Sequence, residues 1–382
     1  CPPIVRVLLL SEANGCEFAS DGQISIYDCN ESFLSGQEIS DFNKATSDFS
    51  VNLTDGKISL DSNSIDSRNL LLVSQNQTIG LNGDEYRGKM VISLAQDNNS
   101  FDVMNILSLE DYLKGVVGAE MYSYWEMEAL KAQAVASRTY CLYIKKRFAT
   151  NRNWDMKKSQ AHQVYSGIAA ETKRVRSAVE QTAGEVLTYK NETKLDIFPT
   201  YYASNCGGHT QNSVDVFGGD NIKPLNGVKC PFCKDIAKKR FFNWEPVSFK
   251  KSFVQNRLME RYPSLARLGD IQRIETVRKS DYADFTRATF IKLISSSGEG
   301  DFLRAEDFRL AIDRSGLKIK STGFELTDAN DSWVFSNGTG YGHGVGLCQC
   351  GAEHIARCGK DYKQILSYYY PDSKLVKIFK DD

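Results

Sequence analysis

Residues 107–143 read LSLEDYLKGVVGAEMYSYWEMEALKAQAVASRTYCLY, and two helical patterns in this stretch meet at one carboxylate, Glu120. Apolar residues recur at helical spacing over 109–117, which predicts a first helix. Ser123 is the predicted N-cap of a second helix, because Glu126 follows three residues later and completes a capping-box pattern. The sequence therefore predicts a helix–helix corner with Glu120 at its centre.

Glu120 directly follows two small residues, Gly118 and Ala119. A carboxylate that packs next to such small residues can be partly shielded from water. Desolvation raises the pKa of a carboxyl group, and a general acid that works near neutral pH needs a raised pKa. The alternative is a surface glutamate in a turn, because a single Glu is weak evidence for catalysis.

Three later segments complete a resemblance to a known family. They are 200–216 (TYYASNCGGHTQNSVDV), 338–352 (GTGYGHGVGLCQCGA) and 362–371 (YKQILSYYYP). Together with 107–143 they make the chain resemble the stage II sporulation protein D family, which comprises bacterial lytic transglycosylases and related amidase-enhancer proteins of the cell wall. The resemblance implies that Glu120, the carboxylate just before Met121, is the catalytic acid.

Composition limits the class of protein. At 382 residues the chain is long enough for two to three domains, and its net charge of -1 gives no electrostatic case for a nucleic-acid partner. No apolar run reaches the roughly 18 residues that would span a bilayer. The chain starts at Cys1 rather than Met, so we expect an exported protein, periplasmic or on the outer face of the cytoplasmic membrane. Cys1 fits a lipid-anchored cleavage product and equally a truncation.

The pattern of predicted elements indicates an α+β fold. Short strands bounded by turn residues are predicted at 4–10, 24–27, 50–53, 57–60, 69–73 and 90–95. Residues 1–98 then form a β-rich supporting region, and residues 99–235 form a mixed catalytic core that carries a zinc loop. Residues 236–320 are a predicted α/β insertion, and residues 321–382 return to the core.

Two short cysteine-containing motifs predict a metal site. Cys206 and His209 form a CxxH pair, and Cys230 and Cys233 form a CxxC pair further along the chain. Two such pairs supply the four ligands that structural zinc prefers, with no open position for a water molecule. The alternatives are a Cys230–Cys233 disulfide, which is strained at that spacing, or four unconnected residues. Zinc-binding members of the family place their ligands near the position of His162.

The glycine-rich run 338–351 is not a phosphate-binding loop, since it lacks the Lys-Ser/Thr ending. Its alternating glycines permit a bulky ligand to approach the backbone closely. His343 and Gln349 are the polar side chains expected to project into such a groove. The alternative for His343 is a hydrogen bond to backbone in a tight corner.

One convincing carboxylate favours a lytic transglycosylase, because ordinary glycoside hydrolysis uses two. Residues predicted to position the glycan strand or to orient Glu120 are Tyr201, Asn205, Gln211, His343, Gln349, Arg138 and Lys131. Expected partners are peptidoglycan glycan strands and a cell-wall amidase. The alternatives are a non-catalytic glycan-binding enhancer of an amidase and a muramidase. A zinc-dependent amidase is disfavoured, because it needs an open metal position.

Overall fold

A computed structural model of the chain describes residues 2–29, 36–38, 48–61, 63–148, 152–160, 162–190, 195–280, 282 and 285–379. Helices and strands both occur, which confirms the predicted α+β class. The chain forms two compact units, Cys1–Leu187 with Leu375–Asp382 and Thr188–Lys374. The predicted boundaries at 98, 235 and 320 stay predictions, and the lipid anchor predicted at Cys1 lies outside the described residues.

Within its described ranges, the first unit contains two large sheets of predominantly antiparallel strands. Its strands are β1 (Ile4–Ala13), β2 (Gly15–Ala19), β3 (Ile24–Cys29), β4 (Gly36–Glu38), β5 (Phe49–Thr54), β6 (Lys57–Leu60), β7 (Asn63–Ile65), β8 (Asn69–Ser74), β9 (Thr78–Leu81), β10 (Asp84–Arg87), β11 (Lys89–Leu94), β12 (Phe101–Ser108) and β13 (Met156–Lys157). One sheet has the order β13-β1-β12-β11-β8-β3-β4, and the other has the order β10-β9-β2-β5-β6-β7. All six predicted strands are present.

Among the residues that the structure describes, the α-helices of the first unit are α1 (Leu109–Glu120), α2 (Met127–Phe148) and α3 (Lys173–Gln181). Ser108 caps α1 by accepting a hydrogen bond from the Asp111 amide. The predicted N-cap at Ser123 is wrong, because that residue lies in a turn closed by the Trp125 amide and the Tyr122 carbonyl, 3.0 Å apart. The second helix therefore begins at Met127.

Arg138 joins the helices of the first unit through a fully buried guanidinium. It forms a bidentate ion pair with Glu110, with N···O distances of 2.8 and 2.7 Å, and it donates hydrogen bonds to the backbone carbonyls of Val179 and Glu185. Its side chain is 0% exposed. Glu110 and two carbonyls therefore engage its guanidinium inside the helical layer, and a role of Arg138 in substrate contact or in orienting Glu120 stays a prediction.

The second unit is built from short strands and helices around its own apolar core. Its strands are β14 (Glu185–Lys190, which enters from the first unit), β15 (Leu195–Ile197), β16 (Tyr202–Ala203), β17 (Asn243–Trp244), β18 (Val247–Lys250), β19 (Ile271–Lys279), β20 (Ala288–Ser295), β21 (Gly300–Arg304), β22 (Glu325–Ala329), β23 (Ser332–Ser336), β24 (Gly338–Thr339) and β25 (Leu347–Cys348). A last strand, β26 (Lys374–Lys377), begins at the final residue of this unit and continues into the first unit. Its helices are α4 (Ser213–Phe217), α5 (Cys233–Ile236), α6 (Lys239–Phe242), α7 (Lys251–Arg261), α8 (Ala305–Ile312), α9 (Gln349–Arg357) and α10 (Tyr362–Tyr369).

One apolar core of this unit is formed mostly by the segment predicted as an α/β insertion and partly by residues that follow it. Trp244, Leu258, Leu293, Phe308 and Phe335 are among its buried members. Short 3-10 helices occur at Gly167–Ala170, Lys223–Leu225 and Pro263–Leu268. Over the described ranges, no helix combines the length and the apolar character needed to cross a membrane.

The glycine-rich loop of the second unit packs around a buried arginine. Gly340, Gly342, Gly344 and Gly346 all have positive φ angles. A Cβ on Gly340 would stand 2.6 Å from the Arg287 guanidinium, and one on Gly344 would stand 3.0 Å from it. Arg287 in turn donates to the carbonyls of Cys206 and Gly342. At these two positions the glycines admit an arginine of the chain itself.

We expect Arg138→Met to lower the free energy of unfolding of the first unit by about 3–5 kcal/mol, because Glu110 would be left without its charge partner. Adding Glu110→Leu should restore part of this loss, since an apolar pair can replace a buried ion pair. Lys57→Met, which removes an exposed pair with Asp66, should cost under about 1 kcal/mol. Urea unfolding of the four proteins tests this; equal losses for Arg138→Met and Lys57→Met would contradict it.

We expect the stability of the second unit to depend on pH through His343. Its Nδ1 accepts the Val345 amide at 3.0 Å, and burial lowers the pKa of His343 to about 4. The unfolded chain binds this proton near pH 6.5, so stability is fully present above pH 6.5 and is lost as the pH falls towards 4. The loss should reach about 3 kcal/mol in wild type and should be smaller in His343→Gln. Urea unfolding of wild type and of His343→Gln at pH 7.5 and 4.5 measures the two losses. Equal losses would show that His343 is not the source of the pH dependence.

Candidate functional site

Glu120 is the last residue of α1 and lies half-buried at the corner predicted from the sequence. Its Oε1 accepts a hydrogen bond of 2.8 Å from the Val164 backbone amide. Two residues before it, a Cβ on Gly118 would stand 1.9 Å from the Ala170 carbonyl oxygen. The small residue is therefore required there, because it lets the 164–170 segment approach the helix that carries the carboxylate.

The backbone that donates to Glu120 is itself held by a buried amide side chain. Gln163 accepts from the Tyr112 hydroxyl at 3.2 Å and donates to the Ser137 carbonyl at 3.2 Å. It is buried, so both bonds are shielded from water. Gln163 thus connects α1 and α2 next to Val164 and fixes the donor on which the orientation of Glu120 depends.

The turn after Glu120 presents aromatic side chains to solvent. Tyr122 is 43% exposed and Tyr124 is 69% exposed. The two rings stack at 5.3 Å, and Trp125 packs edge-on against Tyr122. Arg174 fixes the turn by donating to the carbonyls of Ser123 and Trp125. The sequence interpretation missed this pair, although three aromatic residues within the four residues Tyr122–Trp125 were a visible signal.

Lys131 and His162 each have a defined partner in the first unit. Lys131 lies on α2 and forms an ion pair with Glu128 at 2.7 Å, so its action on Glu120 stays a prediction. His162, at the position where the family's zinc binders have ligands, accepts the Lys157 amide through Nδ1. Burial lowers the pKa of His162, which favours its neutral form.

In the second unit, Tyr201 and His343 lie in one aromatic cluster with Phe217. The rings of Tyr201 and Phe217 are 4.5 Å apart, and His343 packs edge-on against both. The open alternative for His343, a backbone bond in a tight corner, is the arrangement present, since the Val345 amide donates to its ring. Glycan contact by Tyr201 and His343 stays a prediction.

Asn205, Gln211 and Gln349 are buried in the second unit. Asn205 donates to the Phe241 carbonyl and pairs through its backbone with Tyr341. The Gln211 amide side chain donates to the His209 carbonyl. These contacts place Asn205 and Gln211 in the framework of the unit, and glycan contact by Asn205, Gln211 and Gln349 stays a prediction.

Four cysteine thiols meet inside the second unit, and they include three of the four predicted metal ligands. The group comprises Cys206, Cys230, Cys233 and Cys348, whose sulfur atoms all lie within 4.8 Å of one another. The predicted ligand His209 lies outside it. The His209 ring stacks on Tyr282 at 3.5 Å, and its Nδ1 lies 2.6 Å from the Thr210 carbonyl oxygen. The thiol group thus contains Cys348 where the sequence predicted His209, and metal binding itself stays a prediction.

The similarities of this chain to known proteins point to one family. A sequence model described as stage II sporulation protein matches residues 97–189. An uncharacterized protein of Brachyspira hyodysenteriae is 34% identical over 297 residues, covering 78% of this chain and 73% of that protein. Stage II sporulation protein D of Bacillus subtilis is 28% identical, covering 70% of this chain and 74% of that protein.

A further relative is longer. The amidase enhancer of Bacillus subtilis is 28% identical over 364 residues, which is 86% of this chain and 50% of that protein. The chain thus spans half the length of this relative. The matched region 97–189 contains Glu120, the Gln163–Val164 segment that orients it and the aromatic turn. On these similarities and on the motifs that carry them, the chain belongs to the stage II sporulation protein D family.

Proposed function

We propose that this protein is a peptidoglycan lytic transglycosylase that cleaves the β-1,4 bond between N-acetylmuramic acid and N-acetylglucosamine. Glu120 is the general acid and base. The observation that carries the proposal is the anchored carboxyl group at the end of α1, held by the Val164 amide and followed by an exposed aromatic turn. Membership in the stage II sporulation protein D family supports it.

The reaction uses one carboxyl group twice, first as a general acid and then as a general base. Protonated Glu120 donates its proton to the glycosidic oxygen as the bond to the anomeric carbon breaks. The C6 hydroxyl of the same muramic acid residue then attacks that carbon, and the Glu120 carboxylate takes its proton. The attack is intramolecular, so no water is consumed and no second carboxylate is needed. The products are a 1,6-anhydro end and an N-acetylglucosamine end.

The protein's contribution is to hold this carboxyl group in one orientation. Glu120 closes a chain of contacts in which Tyr112 and Ser137 fix Gln163, and the adjacent Val164 amide fixes the Glu120 oxygen. A general acid must lie within hydrogen-bond distance of the oxygen it protonates. A fixed carboxyl group reaches that geometry without first losing side-chain freedom.

The aromatic turn supplies a surface for sugar rings. The apolar faces of hexopyranose rings pack on flat aromatic rings, and the stacked Tyr122–Tyr124 pair is exposed next to the acid. Because Arg174 holds the turn, little ordering is needed when a strand binds. We infer that this pair contacts the glycan beside the bond that is cleaved.

The proposal also sets the location and the partners. Peptidoglycan lies outside the cytoplasm, so the protein acts in the periplasm or on the outer face of the cytoplasmic membrane. A cell-wall amidase is the second proposed partner, because this chain is similar over 86% of its length to the amidase enhancer of Bacillus subtilis. The same similarity supports the alternative function, in which the chain binds glycan without cutting it and stimulates an amidase.

We expect Glu120→Gln to abolish release of 1,6-anhydro fragments from purified glycan strands, with a loss of at least about 10²–10⁴ in rate, because the amide cannot donate or accept the proton. Mass spectrometry of strands with and without stem peptides is the measurement. Glu126→Gln is the matched control: it changes an exposed carboxylate at the start of α2 and should leave the rate unchanged.

The products separate the alternatives. Reducing-end fragments from wild type would assign a muramidase and require a second carboxylate. If wild type and Glu120→Gln bind strands equally and neither cuts them, the transglycosylase assignment is wrong. Stimulation of a purified amidase by both proteins, measured as release of stem peptides, would then establish the enhancer function.

We expect Tyr122→Ala and Tyr124→Ala each to weaken strand binding about tenfold, because each removes an aromatic contact worth about 1.5 kcal/mol. Binding of Glu120→Gln protein to strands, with and without the tyrosine changes, measures this without turnover. Phe302→Ala, which removes an exposed aromatic of the second unit, is the control. Equal affinity of the tyrosine variants and the control for glycan strands would show that the turn does not contact the glycan.

A further inference from the structure

The second unit contains a cluster of four thiols that the glycan reaction does not use. Cys206, Cys230, Cys233 and Cys348 are all buried, and they come from three separate segments of the chain. Each is present as a free cysteine. Such convergence needs a cause, because a thiol is a weak hydrogen-bond donor and gains little from other thiols.

The spacing of the sulfur atoms excludes disulfide bonds and fits one tetrahedral ion. The Cys206 and Cys233 sulfur atoms are 3.8 Å apart, whereas a disulfide requires about 2.05 Å. Zinc binds thiolate sulfur at about 2.3 Å, so the ligands of a tetrahedral zinc ion lie about 3.8 Å from one another. All four sulfur atoms fall within 4.8 Å of one another, which is the size of a single-ion cage.

Hydrogen-bond donors surround the sulfur atoms. The Tyr369 hydroxyl lies 3.2 Å from the Cys230 sulfur, and the Cys206 amide donates to the Cys348 sulfur at 3.3 Å. A Cβ on Gly351 would stand 1.9 Å from the Tyr369 oxygen and 2.7 Å from the Cys230 sulfur. Only glycine leaves room for that hydroxyl. Such donors orient metal ligands and stabilise their negative charge.

A buried cation completes the surroundings of the cluster. Arg287 is buried, and its guanidinium donates to the carbonyl of Cys206 at 2.9 Å and to that of Gly342 at 2.8 Å. Four thiolates and one Zn²⁺ carry a net charge of about −2. A guanidinium held against a ligand residue offsets part of that charge in an interior of low dielectric constant.

We propose that Cys206, Cys230, Cys233 and Cys348 bind one structural zinc ion. All four coordination positions come from the protein, so the site is closed and activates no water. The ion ties together the loop that begins at Cys206, the turn before α5 and the end of the glycine-rich loop at Cys348. Its role is to fix the framework of the second unit, and it is independent of the proposed chemistry at Glu120.

The first experiment uses the unaltered full chain, purified under reducing conditions. Elemental analysis should give one zinc ion per chain, and chelation should lower the thermal midpoint of unfolding. Exchange for Co²⁺ should give the sulfur-to-cobalt charge-transfer bands of four thiolates in tetrahedral geometry. A chain without stoichiometric metal, or one that carries iron in place of zinc, would overturn the assignment.

Variants then decide between Cys348 and His209 as the fourth ligand. Cys348→Ser should lose stoichiometric zinc, whereas His209→Ala should keep one zinc ion and the wild-type Co²⁺ spectrum. Cys350→Ser and Cys358→Ser are matched controls, because both cysteines lie close in sequence and outside the group. Loss of zinc in His209→Ala together with retention in Cys348→Ser would overturn the proposal. If Cys348→Ser does not fold, the Co²⁺ spectra of wild type and His209→Ala still distinguish four thiolates from three thiolates and an imidazole.

Discussion

The hydrogen bond from the Val164 amide to Glu120 is the interaction on which the candidate active site depends. It requires that a loop and the end of α1 approach within backbone contact, and Gly118 provides the space for this. It also requires that the loop be rigid, which the two buried hydrogen bonds of Gln163 provide. The orientation of one carboxyl group therefore rests on packing between residues that carry no reactive chemistry.

The fold class and most elements of the first unit could be predicted, because their signals are local. Alternating apolar residues bounded by turns gave all six expected strands, and the helical spacing over 109–117 gave α1. The prediction of an N-cap at Ser123 was wrong, because this residue satisfies a capping pattern in sequence but lies in a turn that the Trp125 amide closes. A turn and a cap use the same residue types, and only the surrounding packing decides between them.

The candidate site was less predictable, because its partners are distant in sequence. Cys206 and Cys348 are 142 residues apart, and their contact follows from the fold of the second unit rather than from any motif spacing. His209 was favoured only because it stands three residues after Cys206. Arg138 is a second case, since its proximity to Glu120 in sequence gave no information about Glu110, which faces it from α1.

Two buried arginines show why polar residues near family motifs are unreliable guides to ligand contact. Arg138 and Arg287 each donate to two backbone carbonyls, and each must keep these bonds because a buried charge without partners is costly. Such residues hold the backbone, so they resemble functional residues in type and position. Tyr122 and Tyr124 are different: their rings stack on each other yet remain partly in water next to a fixed carboxyl group, and for this reason we propose that the glycan contacts them.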